Sequence, residues 1–401
     1  MGNEKKQGLL GISVMTVKGV LCFLLVFNAF VFVYYGVIRQ FRLEGSPQEV
    51  KPLGSGLIND TYLVTTAETD APDYVLQRIN HAIFTDVDML QHNIDAVTRH
   101  LRSKLEAEGC SDIRRRVLQF MHTINDAATS ASGGSPAGKT YFFDGQNYWR
   151  ISVFIPDSMT LSEVTPATSY DAGCAFGRFE QQLTDLPETL GETIPDFHNM
   201  ELRLRQLRDA VDADAAGRVA TVKDELALID KYADEMCQAE RLYRQGLLPK
   251  RICHCDTKVN NMLFDAKDST VLCVIDLDTV MPSFVFSDYG DFLRTAANTV
   301  AEDDPNLDRI AFRWEIFEAF TRGYLESARS FLTPVETEHL PFAVAIFPMM
   351  QAVRFLADYL NGDVYYKTTY PDHNLVRTRN QLRYFQCVKA RQDDMVAFIS
   401  A

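Results

Sequence analysis

Short apolar runs separated by turn residues predict a strand-rich region between residues 49 and 155. EVKPLGSGLINDTYLVTT (49–66) has the pattern of a hairpin, with Gly54, Gly56 and Asn59 in its turn. YVLQRI (74–79), RRVLQFMHTI (115–124), TYFFDGQ (140–146) and NYWRISVFI (147–155) are predicted to be further strands, the last two joined at an Asp-Gly turn. One helix interrupts them, because apolar residues recur at helical spacing between residues 86 and 109.

Helical periodicity dominates the chain after Pro156. One apolar stripe contains Ala172, Phe176, Phe179 and Leu183, and further helical runs cover residues 200–244, 306–330, 335–360 and 375–396. A single β-rich insert, RICHCD to VIDLD (251–278), lies among these helices. The pattern predicts an α+β chain with a mostly antiparallel β N-lobe (41–156) and a larger helical C-lobe (157–401).

The first forty residues differ from this body. GVLCFLLVFNAFVFVYYGVI (19–38) has no charged residue and is long enough to span a bilayer as a helix. Two interpretations stay open: a transmembrane anchor, or an extension upstream of the true start of the protein. On either interpretation, we expect a truncation that begins near Gln40 to remain soluble and active.

Charge and cysteine content exclude some classes of function. The formal net charge is −14 and no run of Lys and Arg is longer than three residues, which argues against nucleic acid as a partner. The 8 cysteines are scattered and mostly lie in apolar contexts, so reduced buried thiols are expected. Cys253 and Cys255, on either side of His254, are expected to be core residues because a zinc site would need more ligands.

The segment HCDTKVNNMLFD (254–265) and the following VIDLD (274–278) contain the strongest chemical signal. His254-x-Asp256-x4-Asn261, followed by Asp276, has the spacing of a kinase catalytic loop and its metal-binding partner. Asp256 would accept the proton of an attacking hydroxyl, and Asn261 and Asp276 would offer oxygen ligands to Mg²⁺. A polar turn between two strands is the simpler alternative, but it leaves the repeated carboxylates without a reason.

Other residues near this motif are expected to support it. His254 is expected to orient the loop by hydrogen bonding, and Asp278 is the second carboxylate of VIDLD. Asp288 and Asp291, in SDYGDFLR, fit a helix N-terminus, and Asp291 could also brace the catalytic loop. The turn with Gly54, Gly56 and Asn59 is either a simple hairpin turn or a loop whose N–H groups contact ATP phosphates.

These residues resemble the aminoglycoside phosphotransferase/choline kinase-like family, which has a protein-kinase-like fold. The resemblance spans about residues 40 to 395 and is strongest to the N-acetylhexosamine 1-kinases. The stretches that carry it include PLGSGLINDTYLV, YVLQRIN, NYWRISVFI, IPDFHN, HCDTKVNNMLFD, VLCVIDLDTVMPSFVFSDYGDFLRTAAN and RFLADYLNGDVYY. It implies an enzyme that uses ATP and Mg²⁺ to phosphorylate the anomeric hydroxyl of GlcNAc or GalNAc.

The resemblance also implies that Arg354 and Tyr365 contact the sugar. Their simpler interpretations are a helix-surface ion pair of Arg354 with Asp358, four residues later, and packing of Tyr365. The strand lysine that the family uses for the α- and β-phosphates is absent, and Gln77 or Arg78 stands in its place. Strand alternation lets only one of them face the nucleotide, and the charge of Arg78 favours it.

Several functions remain open from the sequence. The leading hypothesis is an N-acetylhexosamine kinase with a cytoplasmic catalytic body, where ATP is available, and with a membrane contact only through residues 19–38. Other acceptors in the same chemistry are another hexose, an amino alcohol or an aminoglycoside. A membrane-tethered pseudokinase is supported by the missing lysine but opposed by the presence of Asp256, Asn261 and Asp276. A metallohydrolase built on His254 and Asp256 lacks further ligands.

Overall fold

The computed structural model describes residues 34–54, 58–124, 138–161 and 164–401. These residues form two compact units. Of the described residues, the first unit contains those up to Val87 together with those between Leu118 and Phe154, and the second contains Asp88–Val117 together with those from Ile155 to Ala401. An antiparallel sheet dominates the first unit and helices dominate the second, which confirms the predicted α+β class.

The first unit is built on one five-stranded antiparallel sheet, ordered β1-β2-β3-β5-β4. Its strands are β1 (Pro47–Pro52), β2 (Asp60–Thr66), β3 (Tyr74–Ile79), β4 (Phe142–Phe143) and β5 (Tyr148–Val153). Gly145, in the predicted Asp-Gly turn between β4 and β5, has a φ of 102°, which glycine adopts without strain. Residues 115–124 are not the regular strand that was predicted: Ile113–Arg116 form a short helix, and Phe120 makes only an isolated bridge to Ser152.

A helical turn at residues 34–38 packs within this unit. Val37 and Ile38 are 3% and 1% exposed and belong to the same apolar core as Tyr74 and Leu76 of β3. The Tyr35 hydroxyl donates to the backbone oxygen of Gln48 at 2.7 Å. The end of the predicted membrane span is therefore part of a protein core, and residues 19–33 of that span lie outside the described residues.

Twelve helices are found along the described chain. They are α1 (Val87–Ala107), α2 (Ile113–Arg116), α3 (Pro166–Gln182), α4 (Met200–Ala213), α5 (Lys223–Met236), α6 (Gln238–Arg244), α7 (Phe286–Ala296), α8 (Trp314–Ala328), α9 (Pro334–Glu338), α10 (Leu340–Leu360), α11 (His373–Lys389) and α12 (Gln392–Ser400). The predicted helical runs 200–244, 335–360 and 375–396 are confirmed, each divided by a short connection, whereas the run 306–330 forms an α-helix only over Trp314–Ala328. The stripe of Ala172, Phe176, Phe179 and Leu183 is buried as predicted.

Two small antiparallel sheets form the predicted β insert of the second unit. In one, β7 (Arg251–Cys253) pairs with β10 (Met281–Ser283), and in the other β8 (Met262–Asp265) lies between β6 (Ser158–Met159) and β9 (Val271–Val274). Cys253 and Cys255 are buried against Met281, as expected for core thiols. The insert places a loop, residues 254–261, between β7 and β8.

Helices α3 and α8 pack with their backbones almost in contact. A Cβ atom on Gly173 would lie 2.2 Å from the backbone oxygen of Phe320, and one on Gly323 would lie 2.1 Å from that of Tyr170. Only glycine fits at these crossings, because such distances are far below van der Waals contact. The β insert packs against this helix pair. The rings of Phe176 and Phe179 of α3 lie edge-on to the ring of His254.

One helix in the described part of the chain, Leu340–Leu360, is apolar and long enough to cross a membrane. It is α10, and 83% of its most apolar window is buried within the protein. It therefore serves as a core helix of the second unit, in contact with α11, α7 and α4.

Candidate active site

The loop between β7 and β8 and the end of β9 bring three predicted site residues to one place. Met262 of β8 pairs with Val274 of β9, and the N–H of Ile275 donates to the backbone oxygen of Asn261 at 2.9 Å. Asn261 and Asp276 therefore sit at the same end of this hairpin. Asp276 has a φ of 60°, a left-handed conformation that turns the chain out of β9.

Asp256 is fixed by two neighbours in the same loop. The Lys258 Nζ lies 2.6 Å from one carboxylate oxygen of Asp256. The side-chain nitrogen of Asn261 donates to the backbone oxygen of Asp256 at 2.8 Å and to its other carboxylate oxygen at 3.1 Å. Sequence reasoning missed Lys258, although its place two residues after Asp256 was a usable signal.

The charge balance of the loop keeps Asp256 ionised at neutral pH. Burial raises the pKa of the Asp256 carboxyl, but the charge and hydrogen bond of Lys258, together with the amide of Asn261, outweigh burial and lower it below its ordinary value. Burial also disfavours the charged form of Lys258 and so lowers its pKa. The charges of Asp256 and Asp291 outweigh burial and raise this pKa above its usual range. An ionised carboxylate can accept a proton, as a general base requires.

His254 acts as a scaffold for the loop. Its Nε2 lies 2.8 Å from the backbone oxygen of Ile275, and the N–H of Asp256 donates to its Nδ1 at 3.3 Å. A carbonyl oxygen can only accept and an N–H can only donate, so the ring is the neutral Nε2–H tautomer. His254 therefore ties the catalytic loop to the strand end that carries Asp276.

Asp288 of α7 holds the same loop in place through hydrogen bonds. Its two carboxylate oxygens accept the N–H groups of His254 and Cys255, both at 2.7 Å. Its backbone oxygen accepts the Thr257 hydroxyl at 2.6 Å. Asp291, which was expected to support the site, accepts from Arg294 at 2.8 Å and acts on Lys258 through its charge. Asp278 is buried at 4% exposure in the turn Leu277–Thr279.

The donor set at the hairpin end fits a hard divalent cation. The Asn261 nitrogen is committed to Asp256, which leaves the amide oxygen as the atom of this side chain that can ligate a metal. Asp276 follows across the hairpin and offers a carboxylate. One amide oxygen and one carboxylate are the kind of ligands with which Mg²⁺ binds nucleotide phosphates.

A cluster of two arginines and aromatic rings includes His198, whose ring stacks on that of Phe197. The Arg354 guanidinium packs 5.1 Å from the ring centre of Phe197 and 5.6 Å from that of Tyr366, and it donates to Gln351 at 2.6 Å. The alternative ion pair of Arg354 with Asp358 is not formed. Burial and then the charge of Arg354 lower the pKa of His198 well below its ordinary value, whereas Asp256 opposes them, so His198 lies near both charges.

Arg203 is the second arginine of this cluster, and sequence reasoning did not find it. Its guanidinium donates to the backbone oxygen of Phe197 at 2.6 Å. Burial and then the nearby charge of Arg354 lower the pKa of Arg203 to about 10. Within the described residues, neither Arg203 nor Arg354 is ion-paired with a carboxylate. The cluster therefore carries uncompensated positive charge.

The loop that carries Tyr365 is held by a buried carboxylate. Asp358 of α10 accepts the N–H groups of Val364, Tyr365 and Tyr366 at 3.0, 2.8 and 3.0 Å. It also accepts the side-chain nitrogen of Asn374 at 2.8 Å. Tyr365 itself is 60% exposed, which is unusual for a large side chain on such a firmly held backbone.

The residues predicted to contact nucleotide lie in the first unit. Gly54 has a φ of 72°, and Gly56 lies outside the described residues. Asn59 is buried at 8% exposure and accepts the N–H of Asn80 at 2.9 Å, so it anchors the turn to the end of β3.

Strand β3 places Gln77 and Arg78 on opposite faces. Arg78 shares its face with Tyr74 and Leu76 and is ion-paired with Asp60 on β2. Gln77 lies on the other face, where it accepts from Arg150 of β5 at 2.9 Å. Arg150 is 2% exposed. The cation beside Gln77 is therefore Arg150, which comes from the neighbouring strand β5 and was not among the predicted site residues.

Comparison with known proteins agrees with this geometry. A phosphotransferase kinase fold is shared with a microcompartment-associated aminopropanol kinase (16% identity, 91% of this chain and 98% of that chain, TM-score 0.57). It is also shared with a choline kinase from Cryptosporidium parvum Iowa II (16% identity, 87% and 91%, TM-score 0.52). A third structure is an amicoumacin kinase in complex with AMP-PNP, Ca²⁺ and Ami (14% identity, 85% and 90%, TM-score 0.54).

At these identities the three structures show the fold, and the predicted protein-kinase-like architecture is confirmed. The family relationship rests on the sequence. The model of the phosphotransferase enzyme family (APH) matches residues 49–326, more than half of the chain. That range includes the catalytic loop and Asp276. The chain belongs to the APH phosphotransferase family.

Proposed function

We propose that the protein is an ATP- and Mg²⁺-dependent kinase that phosphorylates the anomeric hydroxyl of an N-acetylhexosamine, GlcNAc or GalNAc. The observation that carries the proposal is the single hydrogen-bonded loop in which Asp256, Lys258 and Asn261 lie beside Asp276. The identity of the sugar rests on the resemblance described above and on the charge of the arginine cluster.

Asp256 is the group proposed to act on the acceptor hydroxyl. Its carboxylate would accept the hydroxyl proton as the oxygen attacks the γ-phosphorus and the bond to the leaving ADP breaks. Lys258, already 2.6 Å from this carboxylate, would stabilise the negative charge of the transferred phosphoryl group. His254 and Asp288 would keep the loop in place and take no part in the proton transfer.

Asn261 and Asp276 are proposed to hold Mg²⁺, whose charge would offset that of the nucleotide phosphates. The first unit is proposed to contribute nucleotide contacts from Gly54, Gly56, Asn59 and Gln77. We include Arg150 there in preference to Arg78, because Arg78 is already ion-paired with Asp60. This assignment supplies the cation that the missing strand lysine would otherwise provide.

The arginine cluster favours an acceptor without a positive charge. Arg354, Arg203 and Asp256 all act on His198 through their charges, and neither arginine has an ion-paired carboxylate among the described residues. A cationic amine bound beside these arginines would meet electrostatic repulsion. A neutral sugar avoids this cost, and its acetamido oxygen can accept from a guanidinium. Tyr365 offers an exposed aromatic face for the sugar ring. This argues against choline-like, amino-alcohol and aminoglycoside acceptors.

The experiment is a panel of hexoses, N-acetylhexosamines, choline, an amino alcohol and an aminoglycoside, each incubated with the full chain and Mg-ATP. Phosphorus NMR then identifies the phosphorylated position. We expect turnover with GlcNAc or GalNAc and an anomeric phosphate. Phosphate on another oxygen, or turnover with amines alone, contradicts the proposed acceptor and leaves the family assignment intact.

A pseudokinase gives a different result in the same experiment. Folded protein that binds nucleotide in a thermal-shift assay and phosphorylates no acceptor would support it. The intact set of Asp256, Asn261 and Asp276 argues for catalysis. Since ATP is a cytoplasmic substrate, we place the catalytic body in the cytoplasm, whether or not residues 19–33 contact a membrane.

A further inference from the structure

Two carboxyl groups lie together in the core beneath the catalytic loop. Glu180 of α3 is 2% exposed and Asp288 is fully buried. One oxygen of each, and the sulfur of Cys253, lie within 4.8 Å of one another. Among the described residues, no lysine or arginine is ion-paired with either carboxyl. Two adjacent negative charges in such a place would be strongly unfavourable.

The hydrogen bonds around this pair show which of the two carries the charge. Both oxygens of Asp288 accept backbone N–H groups, from His254 and Cys255. Oε2 of Glu180 accepts the hydroxyl of Tyr324. Oε1 of Glu180 is buried without an N–H or O–H donor among the described residues. A proton on Oε1 satisfies this atom, because it can then donate to Asp288.

We propose that Glu180 is a positioning residue that carries a proton and donates it in a hydrogen bond to Asp288, which in turn holds the N–H groups of the catalytic loop. The chain of contacts runs from Tyr324 through Glu180 and Asp288 to the residue before Asp256. Glu180 thus acts on the position of the base through two intermediaries and touches no substrate.

The electrostatic surroundings support this arrangement. Burial, and then the charge of Asp288, raise the pKa of Glu180 well above its ordinary value. The other titratable or charged groups that face it are Tyr324 of α8, the thiols of Cys253 and Cys255, Glu336 of α9, and Arg251 of β7, which is ion-paired with Glu336 and not with Glu180. Burial raises the pKa of both Tyr324 and Cys253, so neither supplies a positive charge. Glu336 is neutralised by Arg251, at 2.9 Å.

The proposal sets the sign of a pH effect. A carboxyl whose pKa is raised by folding binds more protons in the folded state than in the unfolded state at any pH between its two pKa values. Stability therefore falls as the pH rises above about 4.5 and continues to fall up to the folded pKa. Loss of the proton would also place a second negative charge against Asp288 and disturb the loop.

Two matched substitutions in the full chain test this. Glu180→Gln keeps the shape, accepts from Tyr324 and donates to Asp288 without a titrating proton. Glu336→Gln is the control, since Glu336 is equally buried but forms an ion pair with Arg251. Tm is measured from about pH 5 to about pH 9, and kcat over the same range with whichever acceptor turns over.

We expect E180Q to unfold at a temperature equal to or above that of the wild type. Its advantage should grow with pH to about 2 °C or more at alkaline pH. Its kcat should stay within about twofold at neutral pH and lose any alkaline decline that the wild type shows. E336Q should lower Tm at every pH, because Arg251 loses its buried counter-charge.

A fall in Tm for E180Q comparable to that for E336Q would overturn the proposal, since it would mean that Glu180 is ionised in the fold. An unchanged Tm–pH slope in E180Q would overturn it as well. The kinetic part rests on the proposed function, whereas the unfolding measurement needs no substrate. The two ideas can therefore fail separately.

Discussion

Asp256 combines two properties that are hard to obtain together: it is largely enclosed, and it is ionised. Lys258 and Asn261 make this possible by contacting one carboxylate oxygen each. Both lie within five residues of Asp256, so the loop itself supplies the partners of this carboxylate. The residues around it, His254 and Asp288, hold the loop in place through hydrogen bonds to its backbone and to the Thr257 hydroxyl.

Asp256→Asn should lower kcat by about 10² to 10⁴-fold, because the amide cannot accept the hydroxyl proton. KM for ATP should change little, since the substitution preserves the shape, whereas the unfolding temperature should fall slightly because Lys258 loses its counter-charge. Initial rates and thermal unfolding check this. The control is Asp265→Asn on the same hairpin, whose carboxylate pairs with Arg115 instead. A D256N enzyme with more than about a tenth of normal kcat would show that another group is the base.

Arg354→Met should raise KM for the acceptor by about tenfold or more and leave KM for ATP unchanged, because a charged hydrogen bond to the acceptor is worth about 1.5–3 kcal/mol. The methionine keeps much of the packing on Phe197 and Tyr366. Arg322→Met, at an exposed arginine of α8, is the control. Equal increases in both KM values would place Arg354 in general structure rather than in acceptor binding.

The segment between α10 and α11 is ordered by the side chain of Asp358. Asp358 satisfies three consecutive backbone N–H groups and one side-chain amide, so the loop that presents Tyr365 is held to a helix in the protein core. Its exposed tyrosine then needs little further ordering when a ligand binds.

Asp358→Ala should therefore raise the acceptor KM by about tenfold or more with a smaller change in kcat, because the loop loses its preferred geometry. The free energy of unfolding should fall by about 2–4 kcal/mol, since several buried N–H groups lose their acceptor. Kinetics at saturating ATP and urea unfolding measure the two effects. Asp234→Ala, at a fully exposed carboxylate, is the control. A stability loss without a KM effect would separate this loop from acceptor binding.

The sequence predicted most elements because their periodicity reflects burial on one face. It also predicted the catalytic loop, since Asp256, Asn261 and Asp276 lie within one local hairpin. It did not place Arg150, Arg203 or His198, because each reaches its neighbours through tertiary packing. The preference for Arg78 considered charge alone, whereas the structure shows which face of β3 is occupied by the core and by Asp60.

The apolar N-terminal segment and the folded catalytic body share residues. Val37 and Ile38 belong to the apolar end of residues 19–38, yet they are core residues of the first unit. This argues against the expectation that a chain beginning near Gln40 remains soluble and active, because such a chain lacks part of this core. The folded body therefore includes Val37 and Ile38.

Two truncations test this boundary. A chain that begins at Gln40 loses two buried aliphatic side chains, each worth about 1.5–3 kcal/mol, and should be about 3–6 kcal/mol less stable than the full chain. A chain that begins at Tyr34 keeps them and should retain both stability and kcat. Urea unfolding and soluble yield in detergent-free buffer give the comparison. Equal stability of the two would remove residues 34–38 from the fold.

The near contact between α3 and α8 limits how this sequence can evolve. Glu180 and Tyr324, which meet across that interface, can touch only while the close contacts at Gly173, Gly177 and Gly323 keep the helices together. An alanine at position 173 or 323 is a conservative exchange by most measures and lies away from every residue that handles substrate. It would nevertheless spread the helix pair and withdraw support from the loop that bears the base. Natural variants that fail to phosphorylate should therefore be sought at these two codons as well as around Asp256.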